Sequence, residues 1–127
     1  VLMARVGRIP GDTDLYTMDK WARYDVERQK MMDFLHERDI LNPIVLSGDI
    51  HTNFVNELKV DFDNPDSATV GTEFVGTSIS SGGNGSQKLD YTDDMMAEPP
   101  FIKFHNAEPG YVRCEVTPEE WRMTLPP

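Results

Sequence analysis

Six consecutive residues carry the sharpest chemical signal in the chain: Leu46-Ser47-Gly48-Asp49-Ile50-His51. An apolar run, Ile44-Val45-Leu46, ends there, a glycine lets the backbone turn, and a carboxylate and an imidazole follow two positions apart. In extended backbone, residues at that spacing leave the same side of the chain. Asp49 would offer a hard anionic oxygen and His51 a neutral ring nitrogen. Such a pair suits iron, zinc or manganese in a hydrolytic site that holds a second ion nearby. The carboxyl ends of strands in open α/β sheets are also where sites gather. Asp-x-His arises by chance as well, so a plain structural turn is the competing reading of the same residues.

Other groups are weaker. Asp61, Asp63, Asn64 and Asp66 crowd oxygen ligands as a calcium loop would, but a glycine at the sixth position and a closing Glu at the twelfth are missing. A solvated hairpin turn is the preferred reading. Ser78, Ser80 and Ser81 invite a nucleophile, yet no G-x-S-x-G elbow surrounds them. The glycines that follow would let backbone N–H groups approach a phosphate, against the plainer reading of a surface turn. His36 falls on a helix and is expected to be partly exposed. His105 is read as a loop residue with no obvious partner, and Cys114 as a core residue of a strand.

The elements that must position these residues follow from periodicity. Gly7 to Thr13 is a loop by composition, and Thr17 or Asp19 can cap a helix. Trp21, Tyr24, Arg28, Met31, Met32, Leu35 and Ile40 then recur at helical spacing as a core stripe, with Arg23, Glu27, Lys30, Asp33 and Glu37 on the wet face. Asn42-Pro43 is expected to end that helix. Ile44-Val45-Leu46 suits a strand buried on both faces and inside a sheet. Phe54 to Val60 alternates, with Phe54, Asn56, Leu58 and Val60 on one side, and pairs antiparallel with a strand over Val70 to Ile79. An acidic, Met-containing stretch runs to Met96, and further strands are expected over Tyr111 to Val116 and from Trp121. Asp49 and His51 should then sit at a strand tip with their side chains in one concave surface.

Composition bounds the class. Of 127 residues, 12 are basic and 22 acidic, a formal charge of −10. That balance lacks the clustered Lys and Arg of a nucleic-acid or anionic-membrane binder. Leu, Ile, Val and Phe make up about 24% of the chain, above the roughly 20% below which charged chains stay disordered. No apolar run reaches the roughly 18 residues of a membrane span, and one cysteine cannot form an internal disulfide. The apolar opening at Val1-Leu2-Met3-Ala4 and the strand-like ending before Pro126-Pro127 both look cut, so 1–127 is read as a segment of a longer chain.

Four stretches, in order, resemble PhoD-type alkaline phosphatases, a branch of the calcineurin-like metallophosphoesterases. Val45 to Asn53 resembles the GD[VI]H segment, and Met18-Asp19-Lys20-Trp21 with Arg28-Gln29 resembles the Trp-containing helix. Glu73 to Gly83 resembles the Ser/Gly stretch, and Gly110 to Pro118 the late strand. The likeness runs from Val1 to about Arg122.

The resemblance implies an α/β fold: the C-terminal portion of one metallophosphatase domain, a sandwich of mixed sheets flanked by helices. It implies hydrolysis of phosphate monoesters or diesters at a two-metal site, with Asp49 a ligand of one ion and His51 of the other. Supporting places for Thr52 and Asn53 lie beside them. Iron and calcium are the implied metals, other divalent ions the alternatives, and a secreted, periplasmic or cell-surface location goes with them. The family's earlier ligands have no counterpart here, so this segment alone is expected to be inactive. Oligomeric state, substrate and the catalytic residues beyond the metal ligands are not read from the chain.

Two positions depart from the pattern. Phe101 stands where it has a histidine, and Pro109 where an Arg commonly precedes Gly-Tyr. Two other readings stay beside the enzyme: a non-catalytic calcium-binding or interaction module built on the acidic turns, and a catalytically dead homologue.

Overall fold

Alternation of side chains from Asn53 to Lys59 gives a strand whose Phe54, Asn56 and Leu58 are buried while Val55, Glu57 and Lys59 are only partly so. In the computed structural model, which describes residues 3–6, 20–81, 85–97 and 100–125, this is the second of six strands among the described residues. They run as β1 (Ile44–Ser47), β2 (Asn53–Lys59), β3 (Thr69–Val75), β4 (Ile102–Asn106), β5 (Arg113–Val116) and β6 (Trp121–Thr124). The helices are α1 (Asp25–Glu37), after a 3-10 turn over Trp21–Arg23, and the short α2 (Thr92–Ala97). The first four strands form one sheet in the order β1-β3-β2-β4, and β5 and β6 form a separate two-stranded ribbon. β1 runs parallel to β3, while β2 is antiparallel to both β3 and β4. The fold is thus α/β with mixed sheets flanked by helices, as expected. None of its described helices is long and apolar enough to cross a membrane.

The core lies on one face of the large sheet. Phe54, Leu58 and Val75 from the strands meet Met32 of α1 and Met3, Ala4 and Val6 of the leading segment. Gly71 is required there, because a Cβ at that position would stand 2.8 Å from the carbonyl oxygen of Pro43, which accepts from the N–H of Thr72. The leading segment is also held by polar bonds. Arg5 makes a two-pronged ion pair with Asp63 in the β2–β3 turn, which holds that carboxyl below its usual range. The turn is the expected hairpin connection: Asp61 Oδ1 accepts from Asp63 N–H, and Asn64 Oδ1 from Asp66 N–H.

Several expectations are corrected. β1 is an edge strand of the described sheet and is not buried on both faces; Leu46 is 55% exposed, because only the face bearing the core is covered. The α1 stripe is narrower than its spacing suggested. Arg28 and Met32 are buried, whereas Tyr24, Met31 and Ile40 are exposed. The helix ends at Glu37, well before Asn42-Pro43. Asp39 enters the left-handed region at φ 50°, its N–H bonds to His36 O, and Ile40 N–H bonds back to Leu35 O. That pattern satisfies the last carbonyls without a proline. Cys114 is exposed, because the β5–β6 ribbon stands apart from the core. The expected loop over 7–13 and the cap at Thr17 or Asp19 lie outside the described residues. His36 is exposed, as expected.

His105 is the largest revision. It lies in β4, buried to 6% exposure, with Nδ1 3.1 Å from Thr92 Oγ1 and its ring 4.7 Å from that of Phe54. A bulge in the β2–β4 ladder places Val55 opposite Phe104 but Asn56 opposite Ile102. Lys103 is the extra residue, so Ile102 and His105 reach the buried side together and simple alternation fails.

Burial pushes the His105 imidazole below its ordinary 6.5. As pH falls below about 6.5 the unfolded chain takes up this proton before the folded one does. Stability is therefore full above that pH and declines below it, through the lowered folded value. Urea unfolding at pH 7.5 and 5.5 should show this decline, and His105→Gln should shrink it. An equal decline in both proteins would mean that His105 is not the group responsible.

Candidate functional site

A strand that stops at Ser47 and another that starts at Asn53 leave five residues, Gly48 to Thr52, to reverse the chain. Both chemistry-bearing residues of this loop take left-handed backbone: Asp49 has φ 69° and His51 φ 59°. The extended geometry expected from their spacing is therefore not the one the loop adopts: its backbone curls at both residues. Left-handed residues other than glycine are uncommon, though Asp and His adopt the conformation more readily than most. Such strain persists only where neighbouring structure holds it, and it collects at functional sites. Asp49 and His51 are both exposed at the carboxyl end of β1.

The loop is held at its two ends. On the first side, Ser47 O accepts from Gly76 N–H at 2.9 Å, and Ser47 Oγ donates to Glu73 Oε1 at 2.7 Å. Gly48 packs close to the chain after β3, since a Cβ on it would lie 3.4 Å from Gly76 O. On the second side stands Asn53, fully buried. Its Oδ1 accepts from Thr77 N–H at 3.1 Å, and its Nδ2 donates to Asn106 Oδ1 at 3.4 Å and Glu108 O at 3.3 Å. One amide thus joins the start of β2, the loop after β3 and the end of β4. The Thr52 and Thr77 hydroxyl oxygens are buried, with no hydrogen-bond partner among the described residues.

Glu73 received no separate role from the sequence. It is buried at 0% exposure on the core face of β3 and accepts from Met3 N–H at 3.2 Å and Ala4 N–H at 2.9 Å as well as from Ser47. The available signal was a charge at an inward position of an alternating strand, between Gly71 and Val75, which demands buried partners.

As a donor set, Asp49 and His51 fit part of a metal site: one carboxylate and one imidazole on one exposed loop. Among the described residues no group of three or more His, Cys, Asp and Glu side chains could hold a metal ion. His36 and His105 are not brought to the loop: one is exposed on α1 and the other is engaged with Thr92 and Phe54. Of the two departures, Phe101 is buried and meets Phe62 edge-on, ring centres 4.8 Å apart. Its role here is packing. Pro109 follows Glu108, whose N–H and carboxyl both bond to Asn106, so this segment braces the Asn53 network. Of the Ser/Gly stretch, Ser78 O accepts from Gly110 N–H at 3.1 Å, and 82–84 lie outside the described residues.

Deleting the Asn53 amide should cost about 1–3 kcal/mol, because Thr77 N–H would lose its acceptor, and Asn106 Oδ1 and Glu108 O a donor, in a largely buried place. Asn53→Ala measured by chemical denaturation should fall in that range. A loss below about 0.5 kcal/mol would show that the network does not hold the loop.

Comparison with known proteins bears on the same region. Residues 1–125 match the family described as PhoD-like phosphatase. Alkaline phosphatase D of Bacillus subtilis (strain 168) is 44% identical over 108 residues, which is 85% of this chain and 18% of that protein. The solved structure of PhoD superposes with a TM-score of 0.80 at 44% identity, over 85% of this chain and 21% of that one. The chain thus spans about a fifth of the length of these relatives.

Proposed function

Because the chain belongs to the PhoD-like phosphatase family, we propose that it forms the C-terminal portion of a metallophosphatase domain that hydrolyses phosphate monoesters or diesters. The observation that carries this reading is the Gly48–Thr52 loop: a carboxylate and an imidazole in left-handed backbone, exposed at a strand end and clamped on both sides. In this reading Asp49 contributes a carboxylate oxygen to one metal ion and His51 a ring nitrogen to a second. When bound, such ions supply Lewis-acid stabilisation of the charge that develops on the phosphoryl oxygens. Iron and calcium are proposed from the family resemblance, and a location outside the cytoplasm rests on the same ground.

The chain's own residues do the positioning. Ser47 and Asn53 hold the two ends of the loop, so that little reorganisation is left to the moment of reaction. Thr52 adds a buried hydroxyl next to His51. The remaining ligands are assigned to the part of the longer protein that these 127 residues do not span, in keeping with the fifth of the relatives' length that they cover.

In the full-length phosphatase, Asp49→Ala and His51→Ala should each lose one metal and lower kcat by at least about 100-fold, as expected when preorganised stabilisation of the phosphoryl group is removed. His36→Ala should leave turnover within about twofold, since that side chain is exposed away from the loop. Elemental analysis with a chromogenic phosphate ester reads both quantities. Full occupancy and normal turnover in either loop variant would refute the ligand assignment.

The 127-residue chain alone should show no metal-dependent hydrolysis of the same ester. Its loop offers two donors, and an ion held by two ligands keeps most of its coordination shell in water. Turnover approaching that of an intact phosphatase, abolished by His51→Ala, would show that the site is complete within this chain.

A further inference from the structure

We infer that the buried Ser47–Glu73 hydrogen bond is a positioning device for the metal loop, with Ser47 acting on Asp49 through the backbone that they share. The inference rests on the proposed role of Asp49 and His51 as ligands and extends it to two residues that touch no metal.

Asp49 stands two residues after Ser47, and its backbone is left-handed. A flexible tip would relax out of that conformation, so something before Gly48 must stop β1 from rotating or sliding. β1 is an edge strand, held by ladder bonds on the β3 side alone among the described strands. In register Ser47 faces Val75, and Val45 faces Glu73. The Ser47 hydroxyl therefore reaches diagonally across the ladder to Glu73 Oε1, at 2.7 Å. This bond adds to the Gly76 N–H to Ser47 O bond at the same residue, so main chain and side chain pin the strand end from two directions.

The acceptor is itself immobile. Glu73 is fully buried, and its carboxyl also accepts the N–H groups of Met3 and Ala4. Oε1 is shared between Met3 N–H and the Ser47 hydroxyl. A carboxyl fixed by a buried segment is a firmer anchor than a surface side chain or water. Losing the hydroxyl removes only the last link of this chain of contacts, from Glu73 to the β1 tip, and leaves the bonds to residues 3 and 4 in place.

The test uses the full-length phosphatase with Ser47→Ala, Ser47→Thr and His51→Ala. Outer partners that orient ligands typically alter metal affinity by about 10–100-fold when removed. Ser47→Ala should weaken affinity for added Mn²⁺ or Ca²⁺ by roughly 10-fold or more, while its thermal midpoint without metal stays within about 3 °C of the parent. Ser47→Thr, which keeps a hydroxyl, should restore affinity. In the metal-free proteins, amide exchange of Gly48 to Thr52 should quicken in Ser47→Ala and not in Ser47→Thr.

If Ser47→Ala lowers the thermal midpoint yet keeps parental affinity and loop exchange, the bond is merely structural and the inference falls. If it binds metal normally while His51→Ala does not, the inference alone fails and the ligand reading survives. If His51→Ala also binds normally, the ligand reading has failed, and the positioning claim falls with it. Should Ser47→Ala not fold, Ser47→Cys, which puts a weaker donor in the same place, replaces it. Parental affinity in that variant likewise overturns the inference.

Discussion

A carboxyl group with no exposure to water governs how this chain is put together. Glu73 occupies a core-facing position of β3, and its desolvation is tolerable only if donors come to it. Among the described residues they include groups far apart in sequence: the backbone N–H of Met3 and Ala4, and the hydroxyl of Ser47. The leading segment is thereby drawn over the sheet, where Met3, Ala4 and Val6 enter the core, and β1 is fixed against β3. An apolar residue at this position would pack, but it would leave those donors without partners. It would not specify which backbone approaches or where the tip of β1 stops.

The same logic repeats on the other side of the loop. Asn53 is as buried as Glu73, and its amide can serve only if the ends of β3 and β4 arrive together. The bulge between β2 and β4 makes this arrival compatible with the core, since it turns Ile102 and His105 to the buried side. A strained five-residue loop between two satisfied polar anchors is therefore a consequence of how the sheet closes. Energy spent on left-handed backbone at Asp49 and His51 is recovered in the anchors around them.

Away from this sheet face, packing is thinner. Leu46, Tyr24, Val26 and Phe34 are exposed, and so are Val116 and Trp121, which face each other across the β5–β6 ribbon. In that ribbon Cys114, Val116, Trp121 and Met123 share one side, and Arg113, Glu115, Arg122 and Thr124 the other. One side of the ribbon is thus apolar and the other polar, although every residue of the two strands except the partly buried Met123 is exposed. Arg28 shows the opposite case. It is a buried guanidinium that reaches Asp25 and lies over the Phe62 ring, so a charge on α1 becomes part of the core's edge.

Local rules determined a good part of this protein from sequence alone. The alternation of β2, its antiparallel pairing with β3, the polar turn between them, the presence of a helix ahead of Asn42 (though not its end at Glu37) and the turn after Leu46 all depend on neighbours a few residues away. So does the presence of Asp49 and His51 on one short loop. Tertiary structure decided what depends on distant partners. β1 became an edge strand because only β3 pairs with it among the described residues, and Cys114 was exposed because its ribbon stands off the core. His105 was buried because one extra residue in β4 shifted its register, which no count of apolar and polar positions reveals. Glu73 and Asn53 acquired their roles only when segments up to 70 residues apart were brought within hydrogen-bond reach. Periodicity reports which way a side chain leaves its own strand; it carries no information about which donor will be waiting there.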